Sequence, residues 1–422
     1  MPEASVLTDD FLRELMNVGQ VDILVGVPTH NDARTVGQVV QAIRAGLLKY
    51  FPRQRAVIIN ADGGSRDATR DLVRAASISD LQQGSSLHAL RTLHSISTRY
   101  SHTPAPGTAL RIILSAAELV RANACAVISP DSVNIGLEWM DRLLRPVSQD
   151  GFDLVTPTYS RHKFDGLLVR NLVYPMCRAI YSKGIREPYP PEFAFSGKLG
   201  NHFLGLNVWS EEVCQAGAEM YLIISAITGG FRLAQSYLGL KSQVDHAPAD
   251  LVVAMQQTVG VIFCAMEQNP SAWNGPTEPQ LVPVIGPEHE VSLEPLRINR
   301  KRQHHMFLHG VAELEPVLKV ILSAPTLSEI QRAAASTEEE FCYSDDLWVR
   351  TVYEFAAAFH KSVISRGHIV QALAPLYRGK ALTFLVENRE ASGAEVEDKT
   401  ENLCCAFERL KPYLLEQWDG RK

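Results

Sequence analysis

Three short clusters in the 422-residue chain carry residue types able to handle a charged ligand. They are Pro28-Thr29-His30-Asn31-Asp32, Asp62-Gly63-Gly64-Ser65 and Ser129-Pro130-Asp131. A carboxylate in the second can accept hydrogen bonds from a base or a ribose. One in the third can hold a divalent cation, which would neutralise a diphosphate. Each cluster also has a plainer reading. Asp62 could close an Asx turn, Asp67 could cap the helix that follows, and Asp131 could cap the turn into Leu137–Leu144. The clusters gain weight together because each follows an apolar run: Val21–Val27, Arg55–Asn60 and Ala124–Ser129. If those runs are parallel strands, their carboxyl ends share one edge, and open α/β sheets bind ligands there.

The elements between the clusters support that arrangement. Val36, Val39, Val40, Ile43 and Leu47 recur at helical spacing and predict a helix over Val36–Leu48. A helix through Leu72 and Val73 follows the second cluster. Leu87–Ser95 holds a third strand, Thr108–Arg121 and Leu137–Leu144 are helices, and Asp153–Tyr159 is a further strand. Strands alternating with helices predict an α/β fold with a mostly parallel, doubly wound sheet. A short amphipathic helix over residues 7–18 precedes it. Prolines crowd Glu187–Pro191 and Pro270–Pro287, the second stretch reading as a linker or wrapping loop. Beyond it, Leu308–Leu322, Leu327–Ala335, Asp346–His360 and Thr400–Leu415 show helical spacing, so the tail is a helical subdomain. The expected division is residues 1–20, 21–285 and 286–422. The charged stretch from Glu387 to Asn402 reads as a solvated loop.

Bulk properties exclude several classes. A net charge of −6 argues against a general nucleic-acid binder, which carries a basic surface. Seven scattered cysteines without a CxxC pair suggest neither zinc nor redox chemistry, and fit reduced thiols in the cytoplasm. The acidic N-terminus lacks the build of a signal peptide. No apolar run reaches the roughly 20 residues of a membrane span. The longest candidate, Ala117–Ser132, is broken by Arg121 and Asn123. The turn after the first strand is not GxGxxG, which sets aside a dinucleotide-dependent oxidoreductase.

The stretches VGVPTHNDARTVGQVV, INADGGSRDAT and VISPDSVNIGLEWMDRLLRPV together resemble family 2-type glycosyltransferases of the GT-A fold. The nearest group is that of the glucosylglycerate, glucosyl-3-phosphoglycerate and mannosylglycerate synthases. DLVTPTYSRHKFDGLLVRNLVYPMCRAIY and FAFSGKL extend the likeness through the middle of the chain. The resemblance implies a nucleotide-sugar donor, UDP- or GDP-linked, and a small anionic acceptor such as glycerate or 3-phosphoglycerate. Pro28, His30 and Asp32 would line the base, Asp62 and Gly63 the base and ribose. Asp131 would be the last carboxylate of a metal-binding DxD triplet. Glu192 and Glu219 would face sugar and acceptor as the catalytic carboxylates, and Arg161 with His162 would meet the anionic acceptor. Related enzymes form dimers, and the tail helices could pair two subunits or pack within one.

The chain departs from that pattern where charge is handled. The triplet reads Ser129-Pro130-Asp131, and a hydroxyl is a poorer Mg²⁺ or Mn²⁺ ligand than a carboxylate. The turn expected to carry a phosphate-binding lysine reads Ala105-Pro106-Gly107, and the turn before Glu192 is Pro190-Pro191. The histidine expected after Gln235–Lys241 is Gln243, and His246 could take its place as a metal ligand. The alternative is therefore a GT-A scaffold that binds nucleotide or a partner enzyme without catalysis. His304, His305 and His309 put two imidazoles four residues apart but lack an acidic partner at suitable spacing. Trp139 and Trp209 read as packing residues.

Overall fold

Ile23–Thr29 (β1), Ala56–Asp62 (β2) and Ala124–Val127 (β4) are almost wholly buried, as continuous apolar runs in a parallel sheet must be. The structure, a computed structural model, describes residues 7–78, 93–99, 106–210, 217–241, 250–275, 279–287, 298–337 and 340–420. Within them, Leu93–Arg99 (β3), Leu154–Ser160 (β5), Phe193–Ser196 (β6), Leu233–Leu240 (β7) and Val284–Ile285 (β8) complete one sheet. Its order is β3-β2-β1-β4-β6-β5-β7-β8. β6 runs antiparallel to both its neighbours, and every other pairing is parallel. The chain lays β1, β2 and β3 outward in sequence, then returns to place β4 on the other side of β1. That reversal is a topological switch point, and it lies between the ends of the first and third polar clusters.

One face of the sheet is covered by the helices Val36–Tyr50 and Glu138–Ser148. Val36, Val39, Ile43, Met140, Leu143 and Leu144 pack there with Ile23, Val25, Val27, Ala124 and Ala126. The helix Pro106–Leu119 packs against β1 and β2. The expected third strand begins six residues later than its sequence run. Residues 87–92 of that run lie outside the described residues.

The chain separates into two compact units. The sheet belongs to a unit formed by Met1–Ser160, Tyr189–Pro248 and Val282–Val291. The other is formed by Arg161–Pro188, Ala249–Leu281 and Ser292–Lys422. The helical unit thus takes two segments from the middle of the chain, which a single boundary near residue 285 does not provide for. The helix Asp9–Val18 belongs to the sheet unit. The Pro270–Pro287 stretch contributes the short edge strand β8.

The helical unit has its own polar knot. The buried Glu354 carboxylate accepts from Ser323 N (2.7 Å), Ser323 Oγ (2.8 Å), Thr326 Oγ1 (2.6 Å) and Tyr413 OH (2.5 Å). These bonds join the helices Ala324–Ala334, Asp345–Lys361 and Lys411–Asp419. Three expectations need correction. The 22-residue helix Arg366–Glu387 was not anticipated, because it is apolar nearly all round and carries Pro375, so it shows no amphipathic stripe. The charged stretch read as a loop is largely helix Gly393–Arg409, opened by a Ser392–Glu395 capping box. Its charges are paired: Glu397 with Arg170 and Arg186, Glu401 and Glu408 with Arg178. Finally, among the described residues the stretch long and apolar enough to span a membrane is Leu251–Gln268 and not Ala117–Ser132. By length and composition it is a helix able to cross a membrane, and more than half of it is buried inside the molecule. Gln256 and Gln257 mask it in the sequence. Among the described residues, Cys125, Cys177, Cys264, Cys342, Cys404 and Cys405 form no disulfide.

Helices Val36–Tyr50 and Glu138–Ser148 meet at Gly46, where a Cβ would lie 2.6 Å from Leu137 O and 2.7 Å from Met140 Cγ. One contact is backbone and cannot swing away. Gly46→Ala should therefore cost about 1–3 kcal/mol, the usual range for overpacking. Chemical denaturation checks this, and a variant as stable as the parent would contradict the close approach.

Candidate functional site

The turns after β1 and β2 are sewn together. Thr29 Oγ1 donates to Asn60 Oδ1 (2.9 Å) and lies 3.4 Å from Asp62 Oδ1. Gly63 N donates to Thr29 O (2.7 Å). His30 Nδ1 lies 3.1 Å from Gly63 O. A carbonyl only accepts, so Nδ1 carries the proton. Nε2 is then the acceptor for Asn31 Nδ2 at 3.1 Å. Asn31 takes φ +61°, a left-handed conformation that asparagine tolerates. There its N–H reaches Ser65 Oγ (2.9 Å) and its Oδ1 accepts from Arg66 N (2.9 Å). Asp32 N donates to Thr69 Oγ1 (2.8 Å) and Ala33 N to Asp67 Oδ2 (3.2 Å).

This arrangement gives the carboxylates local duties. Asp62 is fully buried and accepts from Ser65 N and Ser65 Oγ (2.5 Å), the Asx geometry of the plainer reading. Asp32 Oδ2 accepts from His30 N (2.7 Å). Asp67 accepts from Thr69 at the start of the next helix, and that hydroxyl holds its carboxyl below the usual range. Pro28 is half-buried, Gly63 buried and His30 exposed on this rim.

The turn after β4 is built differently. Asp131 N donates to Ser129 Oγ (3.3 Å), and the half-buried Asp131 is the only carboxylate of its triplet. Asn134 Nδ2 donates to Leu240 O, Trp139 Nε1 to Leu238 O (2.9 Å) and Arg142 to Tyr237 O (2.8 Å). The segment 132–142 is thereby docked on the end of β7. Trp139 and Trp209 both serve packing, the latter with its N–H on Phe203 O (3.0 Å).

Glu192 is the residue the sequence placed least well. It was expected to face sugar and acceptor, yet it is 0% exposed. Ser132 Oγ and Tyr159 OH donate to it, and Lys241 Nζ lies 3.3 Å from both its oxygens. The Lys241 side chain is itself only 4% exposed, and its Nζ sits 4.8 Å from the centre of the Tyr159 ring. Sequence reasoning missed Lys241. Its one signal was a lone cation closing the apolar run of β7.

Glu219 opens the buried helix Ala218–Thr228. Its Oε2 is shielded from solvent and has no hydrogen-bond partner among the described residues, and burial raises its pKa to about 7. The Tyr189 hydroxyl is also pushed up, by burial and then by the charge of Glu219. Arg161 and His162 fall in the helical unit. Arg161 is held by Glu187 (2.9 Å) and Asp165 (3.2 Å). His162 Nδ1 accepts from Phe164 N (3.2 Å), and burial followed by the charge of Lys163 lowers its pKa.

Among the described residues no three His, Cys, Asp or Glu side chains converge. Ser132 is spent on Glu192, and Glu192 on three donors. His246, Gln243 and Ala105 lie outside the described residues. His309 pairs with Glu313 (3.2 Å), and its ring is 6.1 Å from that of His305.

No protein-family model matches the chain, and no curated protein matches it in sequence. Among solved structures it is similar to glucosyl-3-phosphoglycerate synthase from Mycobacterium tuberculosis in complex with Mg²⁺ and uridine diphosphate. That likeness has 21% identity, covers 65% of this chain and 86% of the other, and has a TM-score of 0.43. The same enzyme with Mn²⁺, UDP-glucose and phosphoglyceric acid gives 21% identity, 62% and 84% coverage and a TM-score of 0.43. A structure described as a mycobacterial protein gives 19%, 63%, 80% and 0.43.

Two outcomes follow from the geometry. Lys241→Met leaves the Glu192 charge buried and should cost about 3–5 kcal/mol, with part restored in Lys241→Met/Glu192→Gln. Equilibrium denaturation of the single and double variants reads the coupling, and additive losses would refute it. Glu219 binds its proton more tightly folded than unfolded, so its burial erodes stability as pH rises from about 4.5 to about 7. Glu219→Gln should therefore gain melting temperature on the parent between pH 4.5 and 7.5, and parallel pH profiles would contradict the burial.

Proposed function

We propose that the chain is a nucleotide-sugar-dependent glycosyltransferase of the GT-A type. It would move a hexose from a UDP- or GDP-linked donor to a small anionic acceptor such as glycerate or 3-phosphoglycerate. One observation carries the reading. The polar turns Pro28–Asp32 and Ser129–Asp131 end the two strands that flank the switch point, with the Asp62–Ser65 turn sewn to the first. The motif likeness of those same turns supplies the donor class.

In this reading the rim Pro28, His30, Asp32, Asp62 and Gly63 recognises the nucleoside. His30 is oriented by Gly63 O and Asn31, and Asp62, locked by Ser65 and Thr29, holds the rim in shape. Asp131 stands on the diphosphate side. Glu219, with a pKa of about 7, is a carboxyl able to hold or release a proton at neutral pH. Arg161 and His162 are the proposed acceptor contacts. The same reading places the protein in the cytoplasm as a homodimer.

A second reading is favoured by a specific observation: the triplet offers one carboxylate and Glu192 is saturated by protein donors. It is a scaffold that binds nucleotide, or a partner enzyme, without turnover. Incubation with labelled UDP- and GDP-hexoses and either acceptor, with and without Mn²⁺, separates the two. Transfer is the expected outcome, and Asp131→Ala should lower it by at least tenfold. Nucleotide binding without transfer or hydrolysis would establish the second reading. Absence of nucleotide binding under every condition would remove both.

A further inference from the structure

The opposite edge of the sheet holds a cavity of about 400 Å³ that the proposed function does not use. Ala122 and Asn123 precede β4, and Ser196 and Gly197 follow the antiparallel β6, so the cavity lies at the amino-terminal end of β4. Leu114, Ala117 and Phe195 form the apolar part of its wall. Its rim carries Glu118, Arg121, Asn123, Lys198 and Asn201, all exposed.

Arg121 occupies an unusual position. Ala122 N donates to Ala117 O and Arg121 N to Glu118 O, both at 3.0 Å, which is the Schellman pattern closing the helix Pro106–Leu119. The residue at this point is left-handed, φ +51° for Arg121, where glycine is usual and a side chain is strained. The chain keeps an arginine there, and it brings a guanidinium to the cavity rim. Facing it is the first turn of the helix Gly197–Leu204, with Lys198 packed over the Phe231 ring at 5.1 Å. Gly197 makes the approach possible, since a Cβ there would lie 2.5 Å from Ala122 O.

We infer that this cavity is a second binding site, for a small phosphorylated polyol. A guanidinium fork and an ammonium suit the oxygens of a tetrahedral anion. The volume exceeds that of phosphate alone and lies within the range of small-molecule sites. Asn123, Asn201 and Glu118 offer donors and acceptors to hydroxyls. The site is independent of the reading of the other edge, which lies at the far ends of the strands.

The test is thermal unfolding of the full chain with glucose 6-phosphate, inorganic phosphate or glucose at matched ionic strength, on wild type, Arg121→Gly and Lys198→Met. Glucose 6-phosphate should raise the wild-type melting temperature, phosphate should raise it less and glucose not at all. Arg121→Gly should melt higher than wild type without ligand, because glycine relieves the left-handed strain, and should lose the glucose 6-phosphate shift. Loss of binding in a better-folded variant cannot be ascribed to misfolding. Lys198→Met, changed at an exposed side chain, should lose most of the shift. A shift that survives in both variants, or the absence of any shift with glucose 6-phosphate, overturns the inference.

Discussion

One enclosed carboxylate organises the end of the sheet where the polar turns gather. Glu192 stands at the start of β6, takes a hydroxyl from the turn after β4 and another from β5, and pairs with the lysine that closes β7. Those four strands are consecutive in the sheet, in the order β4-β6-β5-β7. A fully buried charge is tolerated only when its oxygens are all engaged, so the four strand ends must stay in register for the fold to accept it. The antiparallel β6 is what makes this possible. Because it alone runs the other way, its first residue, and not its last, lies at the edge where the neighbouring strands finish.

The other half of the edge is held by hydrogen bonds instead of an ion pair. Residues 29–33 meet residues 60–69 through a series of bonds, most of them from a side chain to a backbone group, which satisfy donors and acceptors that the turns would otherwise leave open. The polar composition of Thr29-His30-Asn31-Asp32 thus has a structural cause before any ligand is considered. A rim built this way is pre-organised, because the groups lining it are already fixed by their neighbours.

The electrostatics of the turn after β4 follow from its composition. Two carboxylates in a triplet repel each other unless a cation lies between them. Ser129 is neutral, so Asp131 meets no such repulsion from within its own triplet. Lys241 does not simply replace that cation, since its charge is matched by Glu192. The shape of this edge is maintained by protein groups, with Glu192 and Lys241 matched to each other.

The order of the strands and helices in the first 160 residues was legible from periodicity and turn chemistry, because short apolar runs bounded by Gly, Pro and Asp admit few alternatives. The three polar clusters were legible for the same reason: strand ends are marked locally. The long helix Arg366–Glu387 was not, since burial on all sides erases the amphipathic stripe, nor was the helix hidden within the charged stretch, whose glutamates find their arginines more than 200 residues away. The sequence by itself determined the α/β class and the placing of Pro28, Asp62 and Asp131 at strand ends, since both depend on neighbours in the chain. Only the tertiary structure decided that Glu192 is an internal anchor with Lys241, that Arg161 is already paired, and that Arg121 rims a cavity. Those facts depend on which strand lies beside which, and a carboxylate's role follows from the donors that packing brings to it.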